Sequence, residues 1–208
     1  MRHGSSRRTP LFPRRSILGA ALVVLASGCT TTMSTTRAVT PSDAAGLGPL
    51  TAEERRDIRN GYDDTMRRLD ETTPGASELI DKAVGVLVFP QVISGGLVVG
   101  AELGNGVLRV NKNFAGYYRI ATGTLGLQIG AQSRTLVFLF MTQEALDSFR
   151  SSTGFSVGAD ASVAILKVGA NGAIDVNVAQ APTIAFVMTN AGLMANLTLK
   201  GTRITPIQ

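Results

Sequence analysis

Glu102, Asp160 and Asp175 are the side chains whose type best suits proton transfer, and no companion base stands at a useful spacing from them. General acid–base work needs such a partner, or a group that orients the base. The chain holds one histidine, His3, and one cysteine, Cys29, both near its start. The body beyond them has no imidazole or thiol for a Ser-His-Asp triad, a Cys-His nucleophile, a Cys/His zinc site or a disulfide. Gly104 and Gly106 open a G-x-G, but the third glycine of G-x-G-x-x-G is missing and no helix signal follows. G-x-x-x-x-G-K-(S/T) and G-x-S-x-G are absent. The expectation is a protein that is not an enzyme and carries no cofactor or metal.

Two sets of residues suit binding instead. Arg109, Lys112 and Arg119 flank "RVNKNFAGYYR", where Phe114, Tyr117 and Tyr118 are interleaved. Cations beside aromatics fit a membrane interface, with charge at phosphate and ring at headgroup level; a solvated hairpin end with core aromatics explains the same residues. Arg134, Lys167, Lys200 and Arg203 are further candidates for a basic surface. The second set is a repeated pattern: Gly100-Ala101-Glu102, Gly130-Ala131-Gln132 and Gly158-Ala159-Asp160 recur about every 30 residues. Strand alternation puts Gly100 and Glu102, Gly130 and Gln132, and Gly158 and Asp160 on one face, opposite an apolar face. If the three strands lie side by side, their glycines form a shallow trough bordered by Glu102, Gln132 and Asp160. That trough would receive either a packed helix or loop, with its polar groups capping backbone, or an acyl chain or headgroup.

Several elements must position these residues. Thr51 and Glu54 form a T-x-x-E capping box, and Ile58, Tyr62, Met66 and Leu69 follow at helical spacing, predicting a helix over 52–71. Thr73-Pro74 starts a second over 74–83. "VGVLVFP" reads as a buried strand ended by its proline, and "GGLVVGAEL-GNG-VLRV" as a hairpin turning at Gly104-Asn105-Gly106. Two or three strands follow, then a short helix capped by Thr142. "FSVGADASVAILKVG" reads as one strand, turning at Asn171-Gly172, and "TIAFVMTN-AGL-MANLTLKG" as two closing strands. The expected fold is α+β: a single antiparallel β-rich domain with N-terminal helices and one short mid-chain helix.

The start of the chain reads as an export signal. Arg2, Arg7, Arg8, Arg14 and Arg15 precede the apolar run Ile17 to Ser27, which is too short to span a bilayer. Those five arginines account for the whole net charge of +5, so the basic pI is no argument for nucleic acid, which is not an expected partner. "LASGC", Leu25 to Cys29, resembles the lipobox of bacterial lipoproteins, which implies an acylated Cys29. Arg14-Arg15 also fits a twin-arginine signal. The expected organisation is a leader over 1–28, a Thr/Ser/Gly/Pro-rich tether over 29–50 and a folded domain over 51–208. Thr30 lacks the aspartate that favours inner-membrane retention, so the expected place is the periplasmic face of the outer membrane. Barrel strands are disfavoured, because "VGVLVF" and "TLVFLFM" do not alternate.

"AVGVLVFPQVISGGLVVGAELGNGVL", "YYRIATGTLGLQIGAQS", "VFLFMTQEALDSF", "FSVGADASVAI" and "AGLMANLTLKGTRI" together resemble the SYLF domain family, from about Asp57 to Ile204. The resemblance implies a lipid-binding domain. Eukaryotic members bind phosphoinositides, some also bind actin, and bacterial members are commonly secreted or lipid-anchored. Those eukaryotic members engage membranes through a basic N-terminal segment, whereas the helix after Thr51 is net acidic here. Phosphoinositides are scarce in bacterial membranes, so the implied ligand is anionic phospholipid. The alternative is a protein-interaction module that uses its acyl anchor alone.

Overall fold

A computed structural model of the chain describes residues 48–96, 99–125, 132–166, 180–189, 192–193, 199 and 201–208. The expected leader, Cys29 and most of the tether lie outside the described residues, as do Gly130, Lys167, Asn171-Gly172, Asp175 and Lys200.

The first helix, α1 (Ala52–Thr72), begins where its capping box predicts. The Thr51 amide donates to Glu54 Oε2 at 2.7 Å, and the Glu54 amide donates to Thr51 Oγ1 at 3.2 Å. Two otherwise unpaired N–H groups are thus satisfied reciprocally. Its buried stripe is Ile58, Tyr62, Thr65 and Leu69. Thr65 enters that stripe, with Met66 only half-buried, by returning its hydroxyl to the Gly61 carbonyl at 2.6 Å. The second helix, α2 (Ala76–Lys82), follows Gly75, whose φ of 82° no β-carbon favours. The third, α3 (Gln143–Ser151), is capped as expected, Thr142 Oγ1 accepting from the Ala145 amide at 3.2 Å.

Among the described residues nine strands form one sheet: β1 (Gly85–Gly96), β2 (Val99–Val110), β3 (Asn113–Leu125), β4 (Gln132–Phe140), β5 (Phe155–Ser156), β6 (Ala164–Ile165), β7 (Thr183–Thr189), β8 (Gly192–Leu193) and β9 (Thr202–Ile207). The order is β5-β9-β3-β2-β1-β4-β7-β6, with β8 beside β7. Every pairing is antiparallel except β6 with β7. The α+β expectation holds: N-terminal helices precede a mostly β body that curls into a half-barrel. One short segment shows why it curls. β5 pairs β9 at one end of the order and β6 pairs β7 at the other. Residues 156 to 164 can span at most roughly 28 Å, so the two sheet edges are held within that reach.

Both faces of the sheet are covered. Leu87, Phe89, Leu108, Ile120, Phe138 and Phe140 point into the concave side, where α3 adds Leu146 and Phe149. Phe149 packs against Tyr118, Phe140 and Phe155 at 4.8, 4.8 and 5.2 Å between ring centres, tilted on the first two and edge-on to the third. Val86, Val88, Val107, Val137 and Leu139 face the other way, under Ile58, Tyr62, Leu69 and Leu79 of α1 and α2. "VGVLVF" and "TLVFLF" fail to alternate because each strand is buried on both sides.

Three strand expectations are corrected. β1 does not end at Pro90; it runs through it, and the pairing registers shift between Val88 and Gln91 toward β2 and between Phe89 and Val92 toward β4. Proline has no N–H for the ladder, and a bulge is where a sheet tolerates it. Gly104-Asn105-Gly106 is not a turn but the middle of β2, opposite that bulge. A β-carbon on Gly106 would stand 2.4 Å from the Val88 carbonyl oxygen, and one on Gly104 would stand 2.7 Å from that of Gln91. These glycines admit a neighbouring backbone rather than turn their own. The turn falls at Asn111 and Lys112, with φ of 49° and 66°, the left-handed pair that a tight hairpin requires. The stretch from Phe155 to Ile165 is likewise not one strand. It breaks after Ser156, where Gly158 takes φ of 88° and Asp160 Oδ2 accepts from the Ser156 amide at 2.6 Å. The closing segment supplies β7 and β8, and the last strand, β9, starts only at Thr202.

Candidate functional site

The expected trough does not form as drawn. β2 and β4 are separated by β1, and the third echo lies in the turn after β5, where Asp160 is exposed. Glu102 and Gln132 do share a row. The registers place Thr202, Thr122, Glu102, Ser94 and Gln132 side by side across five strands. That row is polar and mostly closed. Thr122 and Thr202 join hydroxyls at 2.9 Å, and Ser94 Oγ donates to the Gln132 carbonyl at 3.3 Å. Glu102, only 3% exposed, is ion-paired to the guanidinium of Arg134, whose pKa burial lowers. Arg134 is therefore turned into the fold against a carboxylate. Gly100 stands opposite Gly96 and Thr124, and Gly158 supplies the positive φ of its turn.

Arg109, Lys112 and Arg119 separate along the α1 side of the sheet. Arg119 is buried, its Nε donating to Asn105 Oδ1 at 3.1 Å and its Nη2 to the Gly48 carbonyl at 3.2 Å. Burial pulls its pKa down, and the nearby Glu54 carboxylate opposes that shift. Arg109 lies 4.0 Å above the Tyr62 ring and bridges Asp63 at 3.0 Å. Burial raises the Tyr62 phenol, with Arg109 pulling it back. Lys112 meets Asp81 at 3.3 Å, both side chains largely in water, and such a pair contributes little.

Around the β2–β3 hairpin the structure assembles a patch that the sequence reading reached only in part. Phe114 is 56% exposed beside the Lys112 turn, and its ring rests 4.9 Å from that of Tyr117. Tyr117 is flanked by two arginines from α1. Arg59 donates to its hydroxyl at 2.7 Å, and the Arg55 guanidinium sits 5.8 Å from its ring centre. Arg55 and Arg59 were missed because α1 was weighed by its net charge. Their spacing of four, which puts both on one helical stripe, was the available signal.

A second feature lies farther along the same face. A cavity of about 470 Å³ opens between α1 and strands β1 and β2, with Ile58, Pro90, Ile93 and Leu103 as its apolar lining. Glu54, Asp57 and Arg119 are its ionisable lining, and Gly61 and Gly104 its thinnest walls. Glu54 caps the helix: hydrogen bonds from the Thr51 amide and then its hydroxyl hold the carboxyl below its ordinary pKa. Among the described residues no three His, Cys, Asp or Glu cluster as a metal site would require, and no helix is long and apolar enough to cross a membrane.

Residues 121–208 match the family model described as Ysc84, Las17-binding protein actin regulator. The match runs from the last residues of β3 through β9 and supports the SYLF resemblance over that part of the chain. No curated protein matches the chain.

Proposed function

We propose that this domain is a non-catalytic lipid-binding module, exported and tethered through an acylated Cys29, that docks on anionic phospholipid by its β2–β3 hairpin. The observation that carries this reading is the exposed Phe114, framed by Lys112, Tyr117, Arg55 and Arg59. An aromatic ring that enters the headgroup layer gains apolar burial, and each cation beside it gains about 1 kcal/mol near an anionic surface. The family resemblance supports the ligand class, and the lipobox-like "LASGC" supports the anchor and its outer-membrane setting.

The chain has no tryptophan, which makes a direct test available. Phe114→Trp in a chain beginning at Thr30 places the sole indole at the proposed contact. Its emission should shift to the blue with vesicles rich in phosphatidylglycerol and stay unchanged with neutral ones. An unshifted spectrum in both overturns the docking surface. The family description also names an actin regulator that binds Las17, which makes a protein-interaction module the alternative. Retention of actin by the lipid-free domain, together with an unshifted spectrum, would favour it.

A further inference from the structure

Among the described residues, two large apolar side chains stand well exposed, Ile93 at 48% and Phe114 at 56%. Their settings are opposite in charge. Ile93 lies in the cavity under α1, where Glu54 and Asp57 outnumber Arg119. Arg119 is committed to Asn105 and Gly48 and Glu54 to the Thr51 cap, so Asp57 is the carboxylate that the cavity offers a visitor beside its apolar wall. Phe114 projects beside Lys112, with Arg55 and Arg59 across Tyr117. The cavity lining carries one more acid than base, and the exposed ring stands among more cations than acids: Lys112, Arg109, Arg55 and Arg59 against Asp81 and Asp63.

We infer that these are two halves of one contact, and that the occupant of the cavity is the Phe114 hairpin of a second copy of this chain. A molecule cannot fill its own cavity. Phe114 pairs with Arg109 and Ile93 with Leu103, and the six residues from Leu103 to Arg109 on β2 separate the two features by about 20 Å. The cavity is in the size range of ligand pockets, with room for a ring and the stems of flanking cations. Asp57 at its rim is placed to meet Lys112, Arg55 or Arg59 of the incoming copy, and complementary charge of this kind fixes register and orientation. Because different surfaces meet, the contact is head-to-tail. It goes beyond the lipid reading and competes with it for Phe114: a copy seated in its neighbour has no ring free for a membrane.

The test uses the full 208-residue chain produced in a bacterial host. One version carries a photo-reactive benzoylphenylalanine at position 114 together with Ile93→Asp, which blocks its own cavity. A second, differently tagged version carries Phe114→Ser and an intact cavity. Irradiation should join the two versions, with the adduct mapping to residues 90–105 or 54–61 of the Phe114→Ser chain. Adding Ile93→Asp to that chain should lower the yield about tenfold, as when an apolar anchor loses its pocket. Position 114 is exposed, so its substitutions leave the fold intact, and unchanged thermal melting of each version checks this. An adduct to lipid alone, an adduct mapping elsewhere, no adduct, or a yield indifferent to Ile93→Asp overturns the inference. An adduct to lipid alone would support the membrane reading while overturning this one, and the other outcomes do not bear on vesicle binding, so the two readings fail separately.

Discussion

Arg134 and Glu102 show how one interaction changes what a residue is available to do. Each alone looks like a surface group for a ligand; together they form a buried pair whose charges answer one another. Removing one member leaves the other uncompensated in a desolvated site, so Arg134→Ala should cost about 3–5 kcal/mol by urea denaturation. Replacing both by Met and Leu should cost far less, since the desolvation of two ions disappears with them. Near-equal losses in the single and double variants would show that the pair is not buried as described. The sequence could not disclose this partnership, because β1 lies between the two residues in the sheet and 31 residues separate them along the chain. Arg55 and Arg59 are hidden for a different reason: a net charge summed over α1 does not show that two arginines four apart both reach Tyr117.

Among the elements, local signals were legible and distant ones were not. The Thr51–Glu54 box, the Thr142 cap and the Ile58, Tyr62, Leu69 stripe each act within a turn or two of helix, and each stands where the sequence puts it. Pro90 and Gly104-Asn105-Gly106 look like punctuation in the sequence because their cause is a neighbouring strand, and no local rule reports which backbone will pass where a glycine's β-carbon would stand. Gly61 is a further case. Alanine has the better helix propensity by about 1 kcal/mol, yet its β-carbon would stand 2.6 Å from Cβ of the rigid Pro90 ring. The clash should win, and Gly61→Ala should lower stability by about 1–3 kcal/mol in a chemical melt. A stabilised variant would mean that α1 does not sit on the bulge. The start of α1 also sets a pH dependence. Glu54 has its pKa lowered below the ordinary 4.5, by the Thr51 amide first and its hydroxyl second. The unfolded chain therefore takes the proton more readily, so this contribution is full above about pH 4.5 and is lost as pH falls through the lowered value. Thr51→Ala should flatten the stability–pH curve in that window, as read by thermal melts between pH 3 and 6; an unchanged slope would remove the capping box from the account.

At the scale of the whole molecule, the sheet curls because one short segment touches both its edges, and the curl leaves its two faces with different work. The concave side is filled by Leu146 and Phe149 of α3 against the strand phenylalanines, while the α1 side carries the exposed ring, the arginines and the cavity. Phe149 contacts three other rings, so Phe149→Ala should cost about 3–5 kcal/mol. In contrast, Phe114→Ser should leave the melting temperature unchanged while weakening membrane contact, and this separation of stability from binding distinguishes core from site. The most direct measurement is co-flotation of a chain beginning at Thr30 with neutral vesicles and with vesicles rich in phosphatidylglycerol or cardiolipin, at low and high salt. The account predicts flotation with the anionic vesicles alone, lost at high salt and weakened about tenfold by Phe114→Ser, the size expected from burying one ring. Equal flotation with neutral vesicles, no flotation with either, or binding indifferent to Phe114→Ser would contradict it.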